Sequence, residues 1–178
     1  MQSENNLVWI DLEMTGLNVE ECKIIEIATI ITDKDLNIIA EAEPMAIYQP
    51  NSVLDSMNEW CIKTHGETGL TQRVKDSNIS LEEAQEKTIN FVKKYVPYQS
   101  SPLCGNSIWQ DRRFLAKYMP KIDDYCHYRM LDVTSLKLLN EYWGDGKTFT
   151  KRTTHKALDD IRESIAELKF YRHKLLSV

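Results

Sequence analysis

The stretch Leu7-Val8-Trp9-Ile10-Asp11-Leu12-Glu13 decides the fold. It is a short apolar run that ends in two carboxylates one residue apart, and a run of that length and composition is a buried strand. Along a strand, residues i and i+2 project from the same face. Asp11 and Glu13 therefore point one way and Leu12 the other. Two carboxylates held close together raise each other's pKa unless a cation lies between them, and hard divalent ions such as Mg²⁺ and Mn²⁺ take such oxygen ligands. The plainer alternative is a solvated strand end with two surface charges.

Working outward, residues 24–31 form a second apolar run rich in β-branched side chains. Residues 37–48 supply a third strand, where Pro44 marks an edge or a bulge. Turn residues Gly16-Leu17-Asn18 and Asp33-Lys34-Asp35 separate these runs. Residues 51–63 read as a helix with Val53, Leu54, Met57 and either Trp60 or Cys61 on one face. Ser80-Leu81-Glu82-Glu83 is a capping box, and it opens a helix with an apolar stripe of Ala84, Thr88 or Ile89, Val92 and Tyr95-Val96 that Pro97 ends. Residues 102–104 are a brief strand before Gly105-Asn106-Ser107, and residues 110–119 a helix that runs up to Pro120. A strand at 128–131 and a helix at 134–142 lead to the turn Gly144-Asp145-Gly146. From His155 to the C-terminus, Leu158, Ile161, Ile165, Leu168 and Leu175 recur at helical spacing. Strands first, then helices alternating with strands, predict an α/β fold: a mixed central sheet flanked by helices. No repeat, low-complexity stretch or linker divides the chain, so residues 1–178 are expected to form one domain.

The chain has 178 residues, of which 42% are hydrophobic and 28% charged, with a net charge of −5. These are the proportions of a globular protein, not of a disordered or fibrous one. A protein that grips long nucleic acid by its phosphates carries a basic stripe, whereas this one has only short clusters, Arg112-Arg113 and Lys151-Arg152. If the substrate is nucleic acid, it is short, and metal ions and a small pocket do most of the holding. Cys22, Cys61, Cys104 and Cys126 are scattered, without a CxxC pair or a zinc spacing. Their number would allow two disulfides, but apolar neighbours such as Leu103 favour buried, reduced thiols. The polar start of the chain has no basic leader followed by an apolar stretch. No run approaches the ~20 apolar residues of a membrane span, so the expected compartment is the cytoplasm.

Two further acids join the first pair. Asp111 follows the Gly105-Asn106-Ser107 turn, where a helix start favours an anion; a capping role would explain it as well. Asp160 lies five residues after His155 at the start of the last helix, so the two project from neighbouring faces. Asp160 suits a metal, and the His155 imidazole suits the proton of a water beside it. Asp159 reads as a solvated neighbour.

Each of these signals is weak alone. Their order is specific: a strand with DxE, a Gly-Asn-Ser turn leading to Asp, then HxxxxD opening a long helix. It resembles the DEDDh family of 3′→5′ exonucleases, with a ribonuclease H-like fold, and in particular its branch acting on very short RNA. The similarity extends over Val8 to Leu17, Cys104 to Ile108, Gln110 to Leu115, Lys117 to Pro120 and Asp159 to Ser164, and covers essentially the whole chain. The resemblance implies that Asp11, Glu13, Asp111 and Asp160 hold two divalent cations, Mg²⁺ or Mn²⁺, and that His155 is the general base. It implies that Leu17 and Trp60 pack against substrate bases, although the helical spacing of Trp60 with Met57 reads by itself as core. It further implies that His65, Ser107, Arg129, Thr134 and Ser135 cap the 5′ phosphate, although Arg129 reads by itself as a surface ion pair. Tyr128 is implied to come from the partner in a homodimer. The substrates so implied are dinucleotides and other very short single-stranded RNA. The rival readings are a proofreading-type DNA exonuclease with the same acids and a non-catalytic RNA-binding module.

Overall fold

In a computed structural model of the protein, residues 2–151 and 156–176 are described, the last two of these by their backbone alone. The strand that carries the acids is β1 (Leu7–Met14), and it pairs antiparallel with β2 (Ile24–Thr32), whose side chains are all buried. A strand buried on both faces must be apolar throughout, which accounts for the unbroken Ile-rich run. The third apolar stretch becomes two pieces, β3 (Ile38–Glu41) and β4 (Met45–Ala46), both antiparallel to β2. The break falls at Pro44, which has no N–H to offer a ladder.

On the other side of β1 the sheet is parallel. There β5 (Leu103–Gly105) pairs with β1, and β6 (Met130–Asp132) pairs with β5. The six-stranded order is β3-β2-β1-β5-β6, with β4 also on β2. An antiparallel meander continued by parallel strands is the ribonuclease H-like sheet that the sequence predicted. It places the strand with the acids at the centre.

Helices cover both faces. On one side α4 (Leu81–Val92), α5 (Ile108–Tyr118) and α6 (Pro120–Tyr125) enclose a core of Val8, Ile10, Leu12, Ile89, Phe114 and Leu115. On the other, α7 (Val133–Trp143) and α8 (Ala157–Leu176) lie over Trp9, Ile30, Cys104, Ile161 and Ile165. Ser80 caps α4 by accepting from the N–H of Glu83 at 3.1 Å. Cys61, Cys104 and Cys126 are buried free thiols and Cys22 is partly buried, as their apolar neighbours indicated.

The helix expected over 51–63 needs correction. It is two helices, α1 (Asn51–Leu54) and α2 (Glu59–Glu67), because Asn58 starts a new one by accepting from the N–H of Cys61 at 2.9 Å. Pro120 does not simply stop α5: it is the first residue of α6, a position where its missing N–H costs nothing. The sequence reading also passed over α3 (Leu70–Asp76), which follows Gly69 in the left-handed conformation at φ 72°. No described helix is long and apolar enough to cross a membrane.

Candidate active site

Asp11 and Glu13 project from one face of β1 near its end, both partly buried. Helix α8 crosses β1 and β2 and brings Asp160 to them from its first turn. One carboxylate oxygen from each of Asp11, Glu13 and Asp160 lies within 4.8 Å of the others. Asp111, on the first turn of α5, is buried and accepts from the N–H of Leu12 at 2.9 Å, which places it against the residue between the strand acids. The four expected acids therefore meet at one end of the sheet, though they are far apart in sequence. His155 lies outside the described residues.

The electrostatics are those of crowded acids with little water around them. Burial first, then the charges of Asp111, Glu13 and Asp160, push Asp11 well above the ordinary carboxylate range. Burial and then Asp160 push Glu13 up to about 8. Asp111 is pushed up to about 7, chiefly by burial, while its hydrogen bond from Leu12 works in the opposite direction. Without a cation such groups retain protons near neutrality; with one they become oxygen ligands. Among the described residues the converging donor set is all carboxylate, which fits a hard divalent cation.

A cavity of about 450 Å³ opens beside Glu13 and is lined by Leu12, Met14, Leu17, Asn58, Trp60 and His65, among others. Leu17 is 69% exposed and Trp60 61% exposed, while the next residue, Cys61, is buried. This decides the alternative left open in the sequence: Cys61 is the core residue, and Trp60 presents its ring outward. Gln110 Nε2 donates to the Leu17 carbonyl at 2.9 Å and so fixes the loop that carries Leu17. His65, grouped above with the 5′-phosphate residues, forms a wall of this cavity. Its Nε2 donates to the Met14 carbonyl at 3.0 Å, which turns Nδ1 toward Glu13 Oε2 at 3.9 Å.

Ser107 and Thr134 come together elsewhere along α5. Ser107 is left-handed at φ 49°, an unusual conformation for a residue with a Cβ. It is held by Asp132, whose Oδ1 accepts from the Ser107 N–H at 2.9 Å and from the Thr134 N–H at 3.0 Å. Thr134 Oγ1 accepts from the same Ser107 N–H at 2.9 Å. Ser135 is exposed on the first turn of α7. Tyr128 is 74% exposed and Arg129 is exposed, with its guanidinium 5.5 Å from the Tyr128 ring centre. Among the described residues Arg129 forms no ion pair, contrary to the surface ion pair that its residue type alone suggested. Their segment is braced by Arg112, whose Nη1 donates to the carbonyls of His127 and Tyr128 at 2.9 and 3.0 Å.

Sequence reasoning passed over Asp132, Gln110 and Arg112. Of these only Asp132 had a local signal, as an Asp directly before a helix. It also passed over Glu26, the lone acid of the β2 run, which faces Glu13 in register.

This geometry is that of a nuclease using divalent metal, and the comparisons with known proteins narrow it. The exonuclease family model (RNase_T) matches residues 8–168. Over its full length, and theirs, the chain is 80% identical to the oligoribonuclease of Francisella tularensis subsp. tularensis strain WY96-3418. It is 56% identical to that of Pasteurella multocida strain Pm70 over 98% of this chain and 96% of the relative. Among solved structures, exonuclease I of E. coli in complex with a dA16 oligonucleotide superposes with a TM-score of 0.75 at 14% identity, over 97% of this chain and 42% of that one. Exonuclease I of Methylocaldum szegediense gives 0.72 at 18% identity, over 95% and 40%. The present chain thus spans about two fifths of those enzymes, and the likeness is one of fold. The chain belongs to the oligoribonuclease family, and its activity is that of a 3′→5′ exoribonuclease.

Proposed function

We propose that the enzyme degrades very short RNA, above all 5′-phosphorylated dinucleotides, to nucleoside 5′-monophosphates. The observation that carries this is the cavity of about 450 Å³ opening directly beside Glu13, with an exposed leucine and an exposed tryptophan at its mouth. It has the volume for one nucleoside and stands next to the acids. Trp60 offers a ring to a base of any identity, and Leu17 offers an apolar surface opposite it. His65, whose Nε2 donates to the Met14 carbonyl, is positioned to accept from a sugar hydroxyl through Nδ1 at the Glu13 side.

In this reading Asp11, Glu13, Asp111 and Asp160 hold two cations, Mg²⁺ or Mn²⁺. When bound, the cations supply Lewis acidity that activates a water and offsets charge on the phosphate. His155 accepts the proton of the attacking water. Ser107, Arg129, Thr134 and Ser135 receive the 5′ phosphate, for which the planar fork of Arg is well matched. Tyr128, exposed and stacked on His127, reaches the site of a partner in a homodimer. In this reading residues 1–178 form one exonuclease domain, acting in the cytoplasm. The net charge of −5 accords with a substrate that has few phosphates.

The test is turnover of a 5′-phosphorylated RNA dinucleotide against a long single-stranded RNA and a long single-stranded DNA, with Mn²⁺ or Mg²⁺. The dinucleotide should be cut far faster than either. Equal rates on dinucleotide and long RNA would sink the length-selective reading, and faster cutting of DNA would favour a proofreading role.

A further inference from the structure

Glu26 has no part in the reading so far. It is directly opposite Glu13 in the β1–β2 pair and so shares its face of the sheet. A fifth carboxylate thus points toward the place where Asp11, Glu13 and Asp160 converge, and it is only 3% exposed. Carboxylates bind hard cations in varied number and geometry, so nothing in its chemistry would keep Glu26 from joining the ligands. Its partner does. Arg73 Nη2 donates to Glu26 Oε1 at 2.5 Å, and Nη1 reaches toward the Thr68 carbonyl at 3.4 Å.

This contact is not an incidental surface bridge. Arg73 lies on α3, whose Leu70 and Val74 are buried in one apolar cluster with Ile25, the neighbour of Glu26. Both ends of the pair are therefore anchored in the same cluster. Glu26 and Arg73 also line a second cavity, of about 300 Å³, with Pro44, Lys156, Ala157, Leu158 and Asp159. Its far wall is the first turn of α8, which carries Asp160.

We propose that Arg73 is a positioning residue that holds Glu26 out of the metal shell, so that four of five converging carboxylates are offered to cations. The pair also cancels a charge that would otherwise leave the loaded site net negative. This rests on the reading of Asp11, Glu13, Asp111 and Asp160 as cation ligands.

The experiment is a calorimetric Mn²⁺ titration of the full chain, with dinucleotide turnover measured alongside, for the wild type, Arg73→Met, Glu26→Gln and the double variant. Arg73→Met should bind Mn²⁺ about tenfold more tightly, about 1.4 kcal/mol, and lose kcat at saturating Mn²⁺ with little change in KM. Glu26→Gln, which leaves a guanidinium unpaired beside the site, should bind Mn²⁺ more weakly. The double variant should return toward the wild type, and Arg73→Lys should remain close to it. A merely structural pair would behave otherwise: both single variants would weaken Mn²⁺ binding and the double would not recover, and that result overturns the proposal. Wild-type affinity in both single variants overturns it too. Should Arg73→Met not fold, the double variant decides: Mn²⁺ affinity restored toward the wild type supports the proposal, and affinity as weak as that of Glu26→Gln overturns it. If the wild type binds Mn²⁺ no better than an Asp11→Asn control, the ligand reading itself fails, a different outcome from either of these.

Discussion

The Leu12 N–H donates to Asp111 Oδ1 at 2.9 Å, so the residue between the two strand acids is tied directly to the acid on α5. The carboxylate therefore has two duties, as an acceptor that joins helix to strand and as a charge. Two substitutions separate them. Asp111→Asn keeps an acceptor and removes a charge from a crowded site; without metal it should be at least as stable as the wild type at pH 8, yet inactive. Asp111→Ala leaves a buried N–H without an acceptor, which costs about 1–3 kcal/mol. Urea denaturation should therefore show Asp111→Ala to be clearly less stable than Asp111→Asn; equal stability would remove the tether from the account.

A pH dependence follows from the same crowding. Asp11, Glu13 and Asp111 all have folded-state pKa values raised above their ordinary ones, Glu13 to about 8 and Asp111 to about 7. The folded state then binds more protons than the unfolded state, so stability falls as pH rises. The favourable contribution is complete below the ordinary carboxylate range and is lost as pH rises through about 7 to 8. Metal-free protein should therefore melt at a higher temperature at pH 6 than at pH 8. Added Mn²⁺ should raise Tm more at pH 8, where the ligands shed their protons more readily. A metal-free Tm that increases from pH 6 to pH 8 would contradict this.

Trp60 offers a cleaner test of binding than of folding, since 61% of it is exposed. Replacing it with Ala removes a stacking surface worth about 1–3 kcal/mol per base. The dinucleotide Kd should rise by roughly tenfold or more, while Tm hardly moves. A large fall in Tm with Kd unchanged would return Trp60 to the core role its spacing suggested.

Arg112 should resemble Arg129 in its effects without touching substrate. Its guanidinium donates to the His127 and Tyr128 carbonyls and pairs with Asp123 at 2.8 Å. Lys has no fork with which to repeat this. Arg112→Lys and Arg129→Ala should both weaken binding of the 5′-phosphorylated dinucleotide, by roughly tenfold for a charge-assisted bond of about 1.5–3 kcal/mol, and spare the unphosphorylated one. Equal losses on both ligands would refute the phosphate role.

What could be read in the sequence was whatever depends on near neighbours. The period of two along β1 put Asp11 and Glu13 on one face, and Ser80 marked its own helix start. Asn58 was hidden because the apolar spacing of Val53, Leu54, Met57 and Cys61 runs straight past it, so the boundary between α1 and α2 did not show. Pro120 was read as a stop because a proline ends one helix as readily as it begins another. Glu26 looked like a stray charge in an apolar strand, since its partner Arg73 lies 47 residues away. The hold of Gln110 on Leu17 spans 93 residues, and no local pattern records such a bond. The convergence of the site's acids was legible through residue types in order. The braces that give it shape were not, because they are tertiary.

Helix α5 follows directly on Ser107, carries Asp111 on its first turn, and grips residues 127–129 through Arg112. In the proposed reading it works as a caliper with both jaws on one rod. The point of cleavage and the stop for the far end of the substrate cannot drift apart by hinge motion, because no hinge lies between them. The length accepted is then set by one helix and by the hydrogen bonds from Arg112 that tie residues 127–129 to it, rather than by a balance of affinities. A descendant with a taste for longer RNA would have to rebuild the stop at Arg129, for sliding the rod would also displace the blade.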